Sequence, residues 1–279
     1  MKARTKTALL IIDAQNDFCS PNGTLFVEGA DKDCITLADF IRKNAQEIDK
    51  IFFTLDSHHV NDISHPSFWM DKNGNNPPAH TPISYKDILN GTWAPRREFD
   101  VTRVTNYVRD LEAAGEFGHY IWPYHCLIGS EGAALDNNIM EAIKYWSSTT
   151  GRFYTAHTKG TNPYTEHFGA FRAQIPMSES PETQLDMQFI DMVERYDDVL
   201  FAGQAKSHCV ATTLNQAMNE APNLAKKFII LEDCMSDVVV LGGPDFAAMS
   251  QPIYDRAKAM GIRSDKSTNI KLKSAMHAV

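Results

Sequence analysis

The feature that most limits the fold of this chain is a regular alternation of short apolar segments with longer amphipathic ones. The short segments are rich in aliphatic and aromatic residues, which predicts strands at residues 7–13, 50–56, 119–122, 152–158, 198–202 and 227–232. Apolar residues recur at helical spacing in the longer segments, which predicts helices at residues 31–48, 100–114, 135–146, 184–196, 208–219 and 244–260. Strands that alternate with helices predict a parallel sheet covered on both faces.

This alternation defines the expected architecture. Right-handed crossovers between parallel strands give a three-layer α/β/α sandwich around a mainly parallel, six-stranded, Rossmann-like sheet. We expect a single domain over residues 1–279, since 43% of the chain is apolar and can form a sizeable core. The extra length lies in an insertion at about residues 60–117. Its polar, turn-rich first part is typical of a lid, a binding loop or a disordered segment.

Charge and composition argue against several classes of function. The formal net charge is −8 and no basic run occurs, so no nucleic-acid partner is expected. No apolar segment is long enough to span a bilayer or to form a signal peptide, so no membrane partner is expected either. The five cysteines form no C-x-x-C pair, which argues against a disulfide framework and indicates the cytoplasm.

Ionisable residues follow five of the six predicted strands. In a parallel sheet the carboxyl ends of the strands meet at one edge, where ligands bind. Each of these residues alone is more simply explained as a turn former or a helix cap. Together they bring groups that fit one mechanism to one edge, namely Asp13, Asp56, His125, Lys159 and Cys209.

Three residues near the strand ends are typical metal ligands. Asp56 and His58 are two positions apart on an extended segment, so their side chains point the same way, and His125 follows the next predicted strand. Two imidazoles and a carboxylate suit one divalent metal ion, for which we expect zinc, with iron or manganese as alternatives. His65 is either a further ligand or a solvent-exposed residue.

Asp13, Lys159 and Cys209 form a candidate nucleophilic set. A cysteine at a helix N-terminus beside an ammonium group is favoured as the thiolate. Asp13 can accept the thiol proton and later return it to a leaving amine. The other cysteines are expected to be packing residues, as buried cysteines commonly are.

Five segments resemble the signatures of a known enzyme family. They are Asp13-Ala-Gln-Asn-Asp-Phe18-Cys19, Asp56-Ser-His58, Trp122-Pro-Tyr-His125-Cys126, Lys159-Gly160 and Gly203-Gln-Ala-Lys-Ser-His208-Cys209-Val210. In order and in strand placement they are similar to those of the nicotinamidase branch of the isochorismatase-like cysteine hydrolases. The match covers the chain in order and is tight around these segments.

The resemblance implies roles for individual residues. It implies a catalytic triad of Asp13, Lys159 and Cys209, and a divalent metal ion that holds the pyridine nitrogen of nicotinamide at Asp56, His58 and His125. Substrate would be bound by Phe18, Trp122 and His208, with the first two on either side of the ring. A cis peptide would join Gln204 to Ala205, and the amides of Ala205 and Cys209 would form the oxyanion hole.

The implied activity is metal-dependent hydrolysis of nicotinamide to nicotinate and ammonia through a thioester, a step of NAD salvage. The expected partner is a small-molecule amide, and a homo-oligomer is left open. An alternative is a related amidase that acts on another carboxamide or on a carbamoyl compound. A non-catalytic protein on the same fold is disfavoured, because it would have no chemical reason to keep Asp13, Lys159 and Cys209 together.

The chain departs from the family pattern at several positions. Gln204, Lys206 and Ser207 differ from the usual nucleophile turn, and Lys206 either serves an acidic substrate or faces solvent. The connection between His58 and His125 is longer than is common in the family.

A second long stretch follows Lys159. Whether Tyr164 and Phe171 line the pocket is left open, and Glu166 and His167 are expected at the surface.

Overall fold

The computed structural model describes residues 5–96, 101–115 and 117–272. The strands in these residues are β1 (Thr7–Ile12), β2 (Lys50–Asp56), β3 (Trp69–Met70), β4 (Ala94–Pro95), β5 (Thr155–Lys159), β6 (Asp198–Gly203), β7 (Phe228–Leu231) and β8 (Arg263–Asp265). The helices are α1 (Asn16–Cys19), α2 (Ala30–Lys43), α3 (Tyr85–Leu89), α4 (Val101–Ala113), α5 (Asn137–Thr150), α6 (Met187–Glu194), α7 (Ala211–Glu220), α8 (Pro222–Ala225) and α9 (Phe246–Ala259). A π-helical turn at Lys206–Val210 precedes α7. None of the described helices is long and apolar enough to cross a membrane.

Six of the strands form one parallel sheet in the order β5-β2-β1-β6-β7-β8. The central strand β1 is buried on both faces, and its side chains alternate between them. Leu9 and Ile11 share a core with α2 and α5, whereas Leu10 and Ile12 share another with α6 and α7. The α/β architecture with helices on both sides of a six-stranded parallel sheet is therefore confirmed.

The prediction of a sheet strand at residues 119–122 is wrong. Residues 119–122 lie outside the large sheet, and Tyr120 instead forms an antiparallel bridge with Pro82. The sixth strand of the sheet is β8, which is short, polar and mostly exposed. An edge strand has one neighbour and needs no continuous apolar run, so β8 carries no periodic signal.

Residues 60–117, which the sequence predicts to be an insertion and which are called the inserted segment below, are folded in their described parts. The inserted segment contains an antiparallel pairing of β3 with β4, together with α3 and α4. Its apolar side chains form a cluster of their own with Ile121, made of Ile63, Phe68, Trp69, Ile83, Val104, Tyr107, Val108 and Leu111. The described residues before position 97 are therefore not a disordered segment, whereas a lid or a binding loop stays a prediction. Residue 100, where the helical pattern begins, lies outside the described residues.

Candidate active site

The carboxyl end of β1 is tied to β2 through Asp13. This residue has a φ of 42° and is completely buried. Its backbone N–H donates to Thr54 Oγ1 at 3.0 Å, and the Thr54 hydroxyl donates back to Asp13 Oδ1 at 2.5 Å. These two bonds leave Oδ2 of Asp13 free to face β5.

Lys159, the last residue of β5, holds the centre of the site together. Its Nζ lies 2.9 Å from Asp13 Oδ2, 3.1 Å from Asp56 Oδ1 and 3.9 Å from Cys209 Sγ. It also donates to the backbone oxygen of His167 at 2.7 Å. Burial lowers the pKa of Lys159, but the two carboxylates outweigh it and hold that pKa well above its ordinary value. The lysine is therefore a permanent buried cation.

Cys209 lies in the π-helical turn directly before α7 and is almost completely buried. Burial raises the pKa of its thiol well above the ordinary value, and the opposing effect of Lys159 is smaller. Burial thus opposes the thiolate that Lys159 favours, and the expectation of a thiolate stays a prediction. Single donor atoms of Asp13 and Cys209 lie within 4.8 Å of each other, and burial raises the pKa of Asp13. Asp13 is thus a base within reach of the Cys209 thiol.

The backbone before Cys209 has the expected cis peptide, between Gln204 and Ala205. It follows Gly203, whose φ is 129° and where a Cβ atom would lie 2.0 Å from the carbonyl oxygen of Ile12. Only glycine fits this close approach of β6 to β1. The carbonyl of Ala205 then accepts hydrogen bonds from the N–H groups that follow in the turn.

The three predicted metal ligands are buried together. Single donor atoms of Asp56, His58 and His125 all lie within 4.8 Å of one another. Nε2 of His58 lies 3.0 Å from Asp56 Oδ2, and Nε2 of His125 lies 4.0 Å from the same oxygen. Burial raises the pKa of Asp56, but His58 and Lys159 outweigh it and keep that pKa well below its ordinary value. A charged carboxylate with two converging imidazoles fits a divalent cation.

His65 is not solvent-exposed. It is fully buried, and its Nε2 lies 3.3 Å from Nδ1 of His125. Its own Nδ1 contacts the backbone oxygen of His59 at 3.0 Å. Asp56, His58 and His125, the predicted metal ligands, are called the metal-ligand group below. His65 packs against His58 and His125 of this group, so it stays a candidate for a further ligand.

A cavity joins these groups. It is lined by Phe18, Leu25, Asp56, Trp122, His125, Phe168, Ala205, His208, Cys209 and Val238. All three predicted pocket residues, Phe18, Trp122 and His208, are in this set. Burial lowers the pKa of His208 to about 3, so its ring is neutral. The cavity therefore presents aromatic walls between the thiol and the metal-ligand group.

Comparison with known proteins gives structural matches alone. No protein family model matches the chain, and no curated protein matches its sequence. Among solved structures, a nicotinamidase/pyrazinamidase from Acinetobacter baumanii has a TM-score of 0.61 at 20% identity, over 96% of this chain and 99% of that one. The yeast nicotinamidase bound to the inhibitor nicotinaldehyde has a TM-score of 0.62 at 21% identity, over 93% and 99%. A Pyrococcus horikoshii pyrazinamidase in complex with zinc has a TM-score of 0.53 at 19% identity, over 94% and 99%.

The chain shares its fold with nicotinamidases. The fold implied by the resemblance of its sequence segments is therefore confirmed.

Residues after Lys159 are placed differently from the prediction. Glu166 and His167 are buried and not at the surface. Burial raises the pKa of Glu166 to about 8, and one of its carboxyl oxygens has no hydrogen-bond partner among the described residues. Tyr164 and Phe171 are absent from the described lining of the cavity and pack in other clusters. Burial of this segment has no sequence signal, because its polar residues read as a surface loop.

Lys206 lies outside the cavity lining. Its Nζ is 3.4 Å from Asp237 Oδ2 and 5.4 Å from the centre of the Tyr254 ring. Its side chain is about one-third exposed, so the solvent-facing alternative describes it better than a role toward an acidic substrate.

The sequence interpretation missed three residues that contact the predicted site residues and hold them in place. Thr54 holds Asp13, and Asp62 lies beside His58 with its Oδ2 3.1 Å from Nδ1. Gln15 bonds both backbone groups of Asp56 at 2.8 Å. Gln15 and Thr54 sit next to recognised motif residues, which is the one signal that could have identified them.

Proposed function

We propose that this protein is a metal-dependent cysteine amidohydrolase, and specifically a nicotinamidase that converts nicotinamide and water to nicotinate and ammonia. The observation that carries the proposal is the position of Lys159, whose Nζ contacts Asp13, Asp56 and Cys209 at once. One buried cation thereby couples a nucleophile and its base to the metal-ligand group. The solved structures of nicotinamidases with the same fold support this assignment.

The reaction begins at Cys209. Its Sγ attacks the carboxamide carbon while Asp13 accepts the thiol proton, and the backbone amides of Ala205 and Cys209 bind the resulting oxyanion. Asp13 then gives the proton to the departing ammonia, which leaves a thioester on Cys209. Asp13 next accepts a proton from water as the water attacks the thioester. The C–S bond then breaks, Asp13 returns the proton to the Cys209 sulfur, and the product leaves as nicotinate after losing its acid proton to solvent. Lys159 balances the charge of the two carboxylates throughout.

Asp56, His58 and His125 would hold the metal ion, with His65 as a candidate further ligand. Zinc fits the two imidazoles and one carboxylate, and a pyrazinamidase of the same fold is described in complex with zinc. Iron and manganese accept the same ligand types. When bound, such an ion would coordinate the ring nitrogen of the substrate.

The aromatic cavity favours a flat ring as substrate. Phe18 and Trp122 would lie on either side of the ring, with the neutral His208 as a further wall. The yeast nicotinamidase of the same fold is described bound to nicotinaldehyde, and PnC1 from L. infantum, also of this fold, in complex with nicotinate. These ligands support a pyridine carboxamide as the substrate class.

A related amidase that acts on another carboxamide or a carbamoyl compound is the second candidate. The observation in its favour is Phe117, whose ring stacks on His208 with centroids 4.8 Å apart. Phe117 comes from the inserted segment, so this segment packs against one of the side chains that line the cavity.

We also infer that the chain acts as one domain in the cytoplasm. The proposed catalytic residues lie at or just after the carboxyl ends of β1, β5 and β6 of one sheet, which supports a single domain. All five cysteines are free, which supports a reducing compartment.

The deciding experiment measures ammonia release from nicotinamide by zinc-loaded protein, with Cys209→Ala as the control. Release by the wild type that the variant lacks supports the nicotinamidase. Absence of release by the zinc-, iron- and manganese-loaded wild type rejects it. Release from other carboxamides or carbamoyl compounds by the same samples would then identify the second candidate.

A further inference from the structure

Asp62 is a buried carboxylate at the start of the inserted segment, four residues after His58. It is only 1% exposed. Its Oδ1 accepts hydrogen bonds from the backbone N–H of Ser64 at 3.1 Å and from the Ser64 hydroxyl at 2.9 Å. Its Oδ2 lies 3.1 Å from Nδ1 of His58. The Ser64 bonds fix the carboxyl group so that Oδ2 faces the imidazole.

The imidazole of His58 is held between two carboxylates. Nδ1 faces Asp62, while Nε2 faces Asp56 Oδ2 at 3.0 Å, on the side where His125 converges. An imidazole binds a metal ion through a nitrogen that carries no proton, so its other nitrogen must carry the N–H. A carboxylate that accepts this N–H fixes both the tautomer and the orientation of the ring.

We propose that Asp62 is a positioning residue for the metal site, which holds the proton on Nδ1 of His58 and so presents Nε2 to the ion. This inference rests on the metal site of the proposed function. A buried carboxylate is costly unless it is paired, and here the pair is made with a ligand and not with a surface cation.

The same geometry gives the inserted segment a role at the site. Asp62 contacts His58, and His65 from the same segment contacts His125. Two of the three ligands are thereby supported by residues of the inserted segment. Its compact cluster, which includes Ile63 and Trp69, holds this support in place.

The test measures zinc affinity by competition with a chelator, using wild type, Asp62→Ala and Asp62→Asn after removal of metal. We expect zinc binding to weaken about 10- to 100-fold in Asp62→Ala, since partners of ligand imidazoles have effects of this size. Asp62→Asn keeps a carbonyl oxygen that can accept the N–H, so its loss should be smaller. Asp71→Asn is the matched control, because Asp71 is a half-exposed turn former in the same segment.

A second readout separates positioning from a general loss of structure. In zinc-loaded wild type, the ¹⁵N spectrum of His58 should show a single form, with zinc on Nε2 and the proton on Nδ1. In zinc-loaded Asp62→Ala a second tautomer should appear, with zinc on Nδ1 and the proton on Nε2. Zinc affinity of Asp62→Ala within twofold of the wild type would overturn the inference, as would an unchanged His58 tautomer. If Asp62→Ala does not fold, the same two criteria apply to Asp62→Leu, whose side chain has a similar size and cannot accept the N–H.

The outcome is distinguishable from failure of the proposed function. Zinc affinity and the His58 tautomer are measured without turnover, so they can support Asp62 even if nicotinamide is not hydrolysed. Absence of zinc binding by the wild type would instead reject the metal site, and the role of Asp62 with it.

Discussion

At the scale of single residues, the site depends on one buried cation between two buried carboxylates. Lys159 contacts Asp13 at 2.9 Å and Asp56 at 3.1 Å, and all three side chains are shielded from solvent. Two carboxylates this close repel each other in a medium of low polarity. The lysine therefore stabilises the fold and the charge pattern of the site together.

Replacing Lys159 with methionine should remove both effects. We expect the free energy of unfolding to fall by about 3–5 kcal/mol, because two buried charges lose their partner. Ammonia release should fall to the level of Cys209→Ala. Urea denaturation of Lys159→Met checks the stability, with Lys206→Met as a control that removes a partly exposed ion pair and should cost about 1 kcal/mol or less. Equal losses in the two variants would contradict the central role of Lys159.

Glu166 should make stability depend on pH. Burial raises its pKa from an ordinary 4.5 to about 8 in the folded protein. Between these values the unfolded chain releases the proton while the folded chain keeps it, so the folded state loses stability as pH rises. Glu166→Gln removes this contribution. In metal-free protein, the stability of the variant relative to wild type should increase from pH 4.5 to about 8 and level off above it, as followed by denaturant unfolding. A difference that is constant with pH would show that Glu166 is ionised in the fold.

The sequence predicts which residues lie together at the candidate site better than it predicts what surrounds each of them. Asp13, Asp56 and Lys159 were identified because each lies at the end of a strand, and strand ends can be located from apolar runs. The acidity of Cys209 and the burial of Glu166 depend on what packs around them. That packing comes from distant segments, so the local pattern does not contain it.

At the scale of elements, the turn after β5 has to accommodate the carboxylate at the end of β2. Gly160 has a φ of 77°, and a Cβ atom there would lie 2.5 Å from Oδ1 of Asp56. Lys159 and His58 hold this carboxylate in place, so it has little freedom to move. The glycine is therefore required both by its backbone conformation and by the lack of space.

Gly160→Ala should weaken zinc binding as well as stability. The matched control is Gly151→Ala, because Gly151 has a φ of 71° but has no atom within 4 Å of the added Cβ. Both variants should lose about 1–3 kcal/mol of unfolding free energy from backbone strain. Only Gly160→Ala should displace Asp56 and lower the zinc affinity in chelator competition. Equal zinc affinities in the two variants would show that Asp56 adjusts to the added methyl group.

The elements that were predicted well are those buried on both faces. β1, β2 and β6 are continuous apolar runs, because each has neighbours in the sheet and helices above and below. Residues 119–122 have a similar apolar run, but their aromatic side chains pack with Phe246 and not in the sheet. A short apolar run indicates that its residues are buried but not which element they pack against. This is why residues 119–122 were predicted as a strand of the sheet, whereas the sixth strand is β8.

At the scale of the whole molecule, the inserted segment is part of the site. Its cluster of apolar side chains supports Asp62 and His65, and its last residue, Phe117, stacks on His208 at an interplanar angle of 20°. Phe117 also contacts Phe168 and Phe246 edge to face. The segment therefore contacts the proposed metal ligands near its beginning, and at its end it contacts His208, which lines the cavity.

Phe117→Ala should separate substrate binding from catalysis. The aromatic contact with His208 is worth about 0.5–1.5 kcal/mol, and without it His208 has to be ordered when substrate binds. This cost is at most the energy of the lost contact, which corresponds to a rise in KM of up to about tenfold. The value of kcat should change less, because Asp13, Lys159 and Cys209 keep their mutual contacts. Steady-state kinetics with nicotinamide check both values, with Phe153→Ala as a control at a side chain that is 84% exposed. An unchanged KM would mean that the insertion serves the metal-ligand group alone, whereas a fall in kcat without a rise in KM would mean that Phe117 positions the turn of Cys209.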